Sequence, residues 1–170
     1  LASGSVLEGA ILFKDTEVTA EGFSGSGTVR LKKTTMTLSS GSSSTISGLT
    51  MEFDGDIAGP GTISISTSFE WTNESTMSGT GKTVLQSGAT GSVTTGGGVA
   101  RLKELTFVNE GSLSVNKGLT RLSEGATFEG PHAKGGAWGW GPRRASKQGQ
   151  LGAHVSPASP LGEAGEDVGD

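Results

Sequence analysis

Three carboxylates at every second residue, Glu52, Asp54 and Asp56, are the part of this chain whose residue types and spacing suit chemistry. That interval puts side chains on one face of a strand, here the outward face, with Met51, Phe53 and Ile57 bracketing them. Two kinds of chemistry use such a set. Glycosidic cleavage needs a proton donor and a base or nucleophile at a set separation, and Ca²⁺ binds through hard carboxylate oxygens. Either would want a second shell. No His lies nearby in sequence, basic residues are not clustered around the trio, and the run does not follow the Gly-rich Asp repeat of calcium-binding β-rolls. A solvated strand face is therefore the expectation, with acid and base roles for Glu52, Asp54 and Asp56 as the alternative.

Other candidates carry less. Gly79-Thr80-Gly81-Lys82-Thr83 imitates the end of a phosphate-binding loop, but the first glycine of that pattern would fall on Thr76, and Val84-Leu85-Gln86-Ser87-Gly88 leads to a turn instead of a helix. His132 and His154 are separated by a Gly/Pro-rich stretch with no Cys, which makes neither a metal ligand nor a general base. Asn73-Glu74-Ser75 is an N-glycosylation sequon, of consequence only in a eukaryotic secretory pathway. Thr35-Met36-Thr37 has the form of one rung of an ice-binding surface, which needs the same pair on successive coils. Trp71 ends a strand on the inward parity, where core packing is expected ahead of a sugar-stacking platform.

The elements that position these residues are repeats. Phe23-Ser24-Gly25-Ser26-Gly27, Ile57-Ala58-Gly59-Pro60-Gly61 and Met77-Ser78-Gly79-Thr80-Gly81 each set an apolar residue two before a Gly-x-Gly and lead into a strand-like run. Irregular spacing around a unit of about twenty residues suits a solenoid with insertions, its glycines at corners with no room for a Cβ. The clearest strand, Thr62 to Trp71, places Ile63, Ile65, Thr67, Phe69 and Trp71 on one face and Ser64, Ser66 and Glu70 on the other. Shorter candidates run Val6 to Phe13, Thr28 to Lys33, Met36 to Leu38, Leu49 to Phe53, Thr83 to Leu85, Leu102 to Val108, Leu113 to Val115 and Ala126 to Phe128. An antiparallel sandwich fits less well, because its hairpins favour Asn-Gly or Asp-Gly turns and only Asp54-Gly55 qualifies.

Composition agrees. Thirty glycines, abundant Ser and Thr, and 5% aromatic residues suit a thin core in which each coil adds a few side chains to a stack. They work against helix propagation. A net charge of −4 with scattered basic residues marks no nucleic-acid-binding face. Cysteine is absent, which removes disulfides and Cys-based metal sites. No stretch reaches the roughly 18 apolar residues of a membrane span. From Pro131 to Asp170 the vocabulary changes to Gly, Pro, Ala, Ser and charge, with no Thr or Ile. That segment is expected to be disordered, with Trp138-Gly139-Trp140 its one sticky element; so abrupt a change also fits a reading-frame artefact.

The stretch Phe69-Glu70-Trp71, Thr76 to Thr83, Ser87-Gly88-Ala89-Thr90, Phe107 to Val115 and Glu124 to Phe128 resembles the degenerate repeats of bacterial haemagglutinin-like and autotransporter-passenger surface adhesins. The resemblance covers roughly residues 20 to 130 and implies a right-handed parallel β-helix whose motif residues form coils and carry no activity. The expected fold is all-β: a right-handed parallel β-helix of about six coils over residues 1–130, part of a longer array, followed by a disordered C-terminal tail over 131–170. The expected function is a non-enzymatic extracellular or cell-surface structural or adhesive segment, with no cofactor or metal. Its partners would be cell-surface or matrix components, glycans among them, and neighbouring coils. The alternative is a β-helix polysaccharide lyase or glycoside hydrolase with Glu52, Asp54 and Asp56 as its acid and base.

Overall fold

The structure, a computed structural model, describes residues 1–131 and 137–140. Among these residues there are fourteen strands, no helix, and only parallel strand pairing, which is the architecture of a β-solenoid of about six coils. Register shows the winding. Thr28 pairs with Gly48, Gly48 with Ser68, Ser68 with Thr90 and Thr90 with Ser112, so each coil lies one strand spacing along the axis from the one before. Steps of 18 to 22 residues separate partners such as Ala10 and Thr28, Thr62 and Lys82, or Thr90 and Ser112.

Each coil has three faces. The first collects β1 (Ser5–Val6), β3 (Phe23–Ser24), the start of β5 (Ser43–Glu52), the start of β7 (Thr62–Thr72), β9 (Lys82–Leu85), β11 (Thr106–Asn109) and β13 (Thr127–Glu129). The second collects the first arms of β2 (Ala10–Ala20) and β4 (Thr28–Leu38), the second arms of β5 and β7, and the first arms of β10 (Thr90–Lys103) and β12 (Ser112–Ser123). The third collects the second arms of β2, β4, β10 and β12 together with β6 (Asp56–Ala58), β8 (Thr76–Ser78) and β14 (Ala137–Trp140).

Period-2 alternation makes the core. On the third face Met36, Ile57, Met77, Leu102 and Leu122 stack inward in register and are all buried. On the second face Leu31, Met51, Trp71, Val93 and Val115 do the same. Inside the later coils Phe69 of the second face meets Phe107 of the first, and Phe107 meets Phe128 one coil on, with ring centroids 5.6 Å apart in both pairs. Trp71 is buried as expected, and its indole N–H donates to the Ser75 carbonyl at 3.0 Å.

Several strand boundaries differ from the sequence reading for one reason, that strands bend around corners. Thr28 to Lys33 and Met36 to Leu38 are a single strand, turned at Lys33 with φ +48°, while Leu102 to Val108 is two strands separated at Glu104 with φ +60°. Val6 to Phe13 likewise divides between β1 and β2. Thr67 leaves the inward face assigned to it and is exposed, because β7 bends after Ile65 and the β5–β7 register slips between Ile46 and Gly48.

The Gly-x-Gly corners are as tight as their composition implies. Gly59 has φ +97° and Gly79 φ +94°, and a Cβ on Gly79 would lie 2.6 Å from the Gly59 carbonyl oxygen. The missing Cβ would thus point along the stack into the neighbouring backbone, not into the core. The sheet also passes Gly130: Ala137–Trp140 pairs with β12 through Leu119 to Leu122. Residues 132–136 and 141–170 of the expected tail lie outside the described residues, as do His132 and His154.

Candidate functional site

The three carboxylates do not share an outward strand face. β5 ends at Glu52, and the chain turns through Phe53 (φ +47°) and Asp54 (φ +60°), with the Gly55 N–H donating to the Glu52 carbonyl at 3.0 Å. Two successive left-handed residues break the alternation that sequence parity assumes.

Each carboxylate then meets different surroundings. Glu52 is 7% exposed and receives a two-pronged bond from Arg30, Nε to Oε1 at 3.0 Å and Nη2 to Oε2 at 2.7 Å, with Lys32 Nζ 3.9 Å away. This pair joins the second and third coils, and the Glu52 hydrogen bond and charge push the Arg30 guanidinium above its ordinary value. Asp54 is exposed on the turn. Asp56 is half-buried, and its Oδ1 accepts the Thr76 backbone N–H at 2.6 Å from the next coil. Burial raises its carboxyl pKa, against a lowering by that hydrogen bond and by Arg101, with Asp54 adding to the rise. Among the described residues no three His, Cys, Asp or Glu side chains converge closely enough to hold a metal ion.

Arg30 and Lys32 are the residues that sequence reasoning missed. A signal existed, since the repeat of about twenty residues sets residues 30 and 32 one coil away from residues 50 and 52. Phe53 was missed too. It is 49% exposed and not inward, and Lys32 Nζ lies 4.9 Å from its ring centroid.

The remaining candidates resolve into structure. Gly79 to Gly81 is a corner between strands β8 and β9, a strand–turn–strand arrangement with no helix to receive a phosphate. Lys82 borders an open groove of about 320 Å³ together with Pro60, Thr62, Thr106 and Glu129. The Thr35/Thr37 pair meets Glu17/Thr19 on one side and Asp56/Ala58 on the other, so the rung is not repeated. Asn73 occupies a left-handed corner with φ +58°, and Ser75 of its sequon is fully buried.

What does repeat is a strip of small, uncharged residues, four of the six bearing hydroxyls. Ala10, Thr28, Gly48, Ser68, Thr90 and Ser112 form one column through six coils on the second face, free of charge and, apart from Gly48, exposed. No protein-family model, curated protein or solved structure matches the chain.

Proposed function

We propose that this chain is a non-enzymatic structural and adhesive segment of an extracellular or cell-surface fibre, which extends by stacking coils and presents small hydroxyl side chains to matrix, cells or glycans. The observation that carries the reading is the Thr28–Ser112 column, a flat, uncharged polar strip set by backbone register. Such a strip offers hydroxyl donors and acceptors at Thr28, Ser68, Thr90 and Ser112 without the apolar patch that drives indiscriminate association. The roles of Glu52 and Asp56 in bonding between coils support the same reading.

Two assays test it on the full chain. Release of reducing ends or unsaturated products is measured on a panel of polyuronates and neutral glycans, and glycan and cell binding is measured in parallel. Binding without turnover is the expected result. Robust turnover abolished by Asp54→Ala would replace this reading with the polysaccharide-cleaving one.

A further inference from the structure

The outer side of the third face sorts its charges by sign along the axis. Register sets one outward residue from each coil in a column, Glu17, Thr35, Asp56, Thr76, Arg101 and Arg121. Acids stand in the first and third coils, and two arginines stand side by side in the fifth and sixth. Like charges directly opposite on paired strands are unfavourable, so Arg101 and Arg121 leave a repulsion that nothing on their own face relieves. Neither arginine, nor Glu17, has an ion-pair partner among the described residues, and all three are exposed.

The same column turned end for end answers both of its ends. A half-turn about an axis parallel to the strands, passing between the third and fourth coils, brings a second third face against the first. Glu17 then lies opposite Arg121 of the second copy, Thr35 opposite Arg101 and Asp56 opposite Thr76, and every contact recurs with the copies exchanged. We infer that the third face is an isologous interface on which two copies of this chain pair antiparallel, Glu17 of each against Arg121 of the other. It is a different face from the Thr28–Ser112 column, so the inference stands apart from the adhesive reading. The middle of the face fits it: Thr35, Ala58, Thr76 and Ser78 are small, and sheets packed about 10 Å apart leave a gap that an extended Glu and Arg span together. Charge selects this occupant. A parallel copy would set acid on acid and arginine on arginine, and an anionic polymer covering the face would run from the arginines onto Asp56 and Glu17. Six coils at about 4.8 Å and an arm of about four residues at about 3.3 Å make roughly 400 Å² per copy. A total of about 800 Å² is short of a standard interface, so the pairing is reversible, with a dissociation constant of about 0.1 mM.

Sedimentation equilibrium of the full chain in low salt tests this on wild type, Arg121→Glu, Glu17→Arg and the double variant carrying both. Wild type should dimerise, and each single reversal should weaken pairing at least about tenfold, as should salt at about 0.5 M. The double variant should return to within about threefold of wild type, because the pair is rebuilt with its signs exchanged. A folding defect would not be repaired in that way. Orientation is read separately, since the chain holds no cysteine. Thr19 and Ser123 stand at opposite ends of the neighbouring outward column, so Thr19→Cys mixed with Ser123→Cys should be joined by a short bis-maleimide, while either variant alone, its thiols about 24 Å apart in the dimer, should not. A wild type that stays monomeric at millimolar concentration, a dimer indifferent to both single reversals, a double variant as weak as the singles, or cross-links within one variant alone would each overturn the inference. So would a monomer that binds a sulfated polysaccharide through Arg101 and Arg121, which would make the arginines an anion site instead.

Discussion

At the scale of single residues, whether a side chain is tolerated depends on where its Cβ points along the stack. Gly59→Val places a branched side chain at φ +97° and against the Leu38 backbone, so it should cost roughly 2 to 4 kcal/mol. Ser64→Val, on the outer side of β7, should stay within about 0.5 kcal/mol of wild type in the same urea melts. Equal tolerance at the two positions would contradict the corner geometry. Asp56 gives a second prediction. Its folded-state pKa is raised by burial, so the protonated form favours the fold; that contribution is complete below the unfolded pKa and is lost as pH rises through the folded one. Asp56→Asn keeps an acceptor for the Thr76 N–H without the buried charge. The variant should therefore gain stability relative to wild type as pH rises through the carboxylate range, by an amount that solvent screening of the half-exposed carboxyl keeps small. Urea midpoints across pH for both proteins would check this.

At the scale of elements, coils are joined by backbone ladders and, between the second and third, by the buried Glu52 carboxylate. Removing Glu52 takes away both prongs of the Arg30 bond between the second and third coils, and Glu52→Ala should cost about 1 to 2 kcal/mol. The exposed Lys14–Asp15 contact at 3.5 Å is the control, and Lys14→Ala, which leaves the left-handed Asp15 in place, should change stability by less than about 0.5 kcal/mol. Chemical denaturation of both variants at low and high salt would separate the two cases. Parallel strands, inward parity and tight glycine corners were legible in the sequence because each is a local signal: Ile63, Ile65, Phe69 and Trp71 announce their face by alternation alone. Bends were not, because Lys33 and Thr67 carry no mark that distinguishes a corner residue from a strand residue. The start of β5 also went unread. Ser43 to Thr45 is a polar run whose inward Ser44 is buried only because the coils on either side supply the apolar wall and because its Oγ accepts the Phe23 N–H at 3.3 Å. The Glu52 environment escaped for a similar reason, since its partners lie a full coil away.

At the scale of the whole molecule, stability is a sum over neighbouring coils, and it is uneven. Ile11, Phe13 and Val18 in the first coil are only partly buried, whereas Val29, Leu31 and Met36 in the second are wholly so. Amide hydrogen exchange should accordingly be fastest along β2 and slowest in β5 and β7, with protection factors differing at least about tenfold. Uniform protection would indicate a single cooperative block. The parallel winding has a mechanical consequence as well. Hydrogen bonds between coils run along the axis, so tension applied to the two chain ends passes through the whole stack and opens it from the end coils, each held by one neighbour only. Each coil that peels away frees about twenty residues, lengthening the chain by roughly 60 Å while the rest stays wound. A coil stack of this kind is therefore expected to give ground in steps under a pull, one coil at a time, a sawtooth that single-molecule stretching of the chain would record.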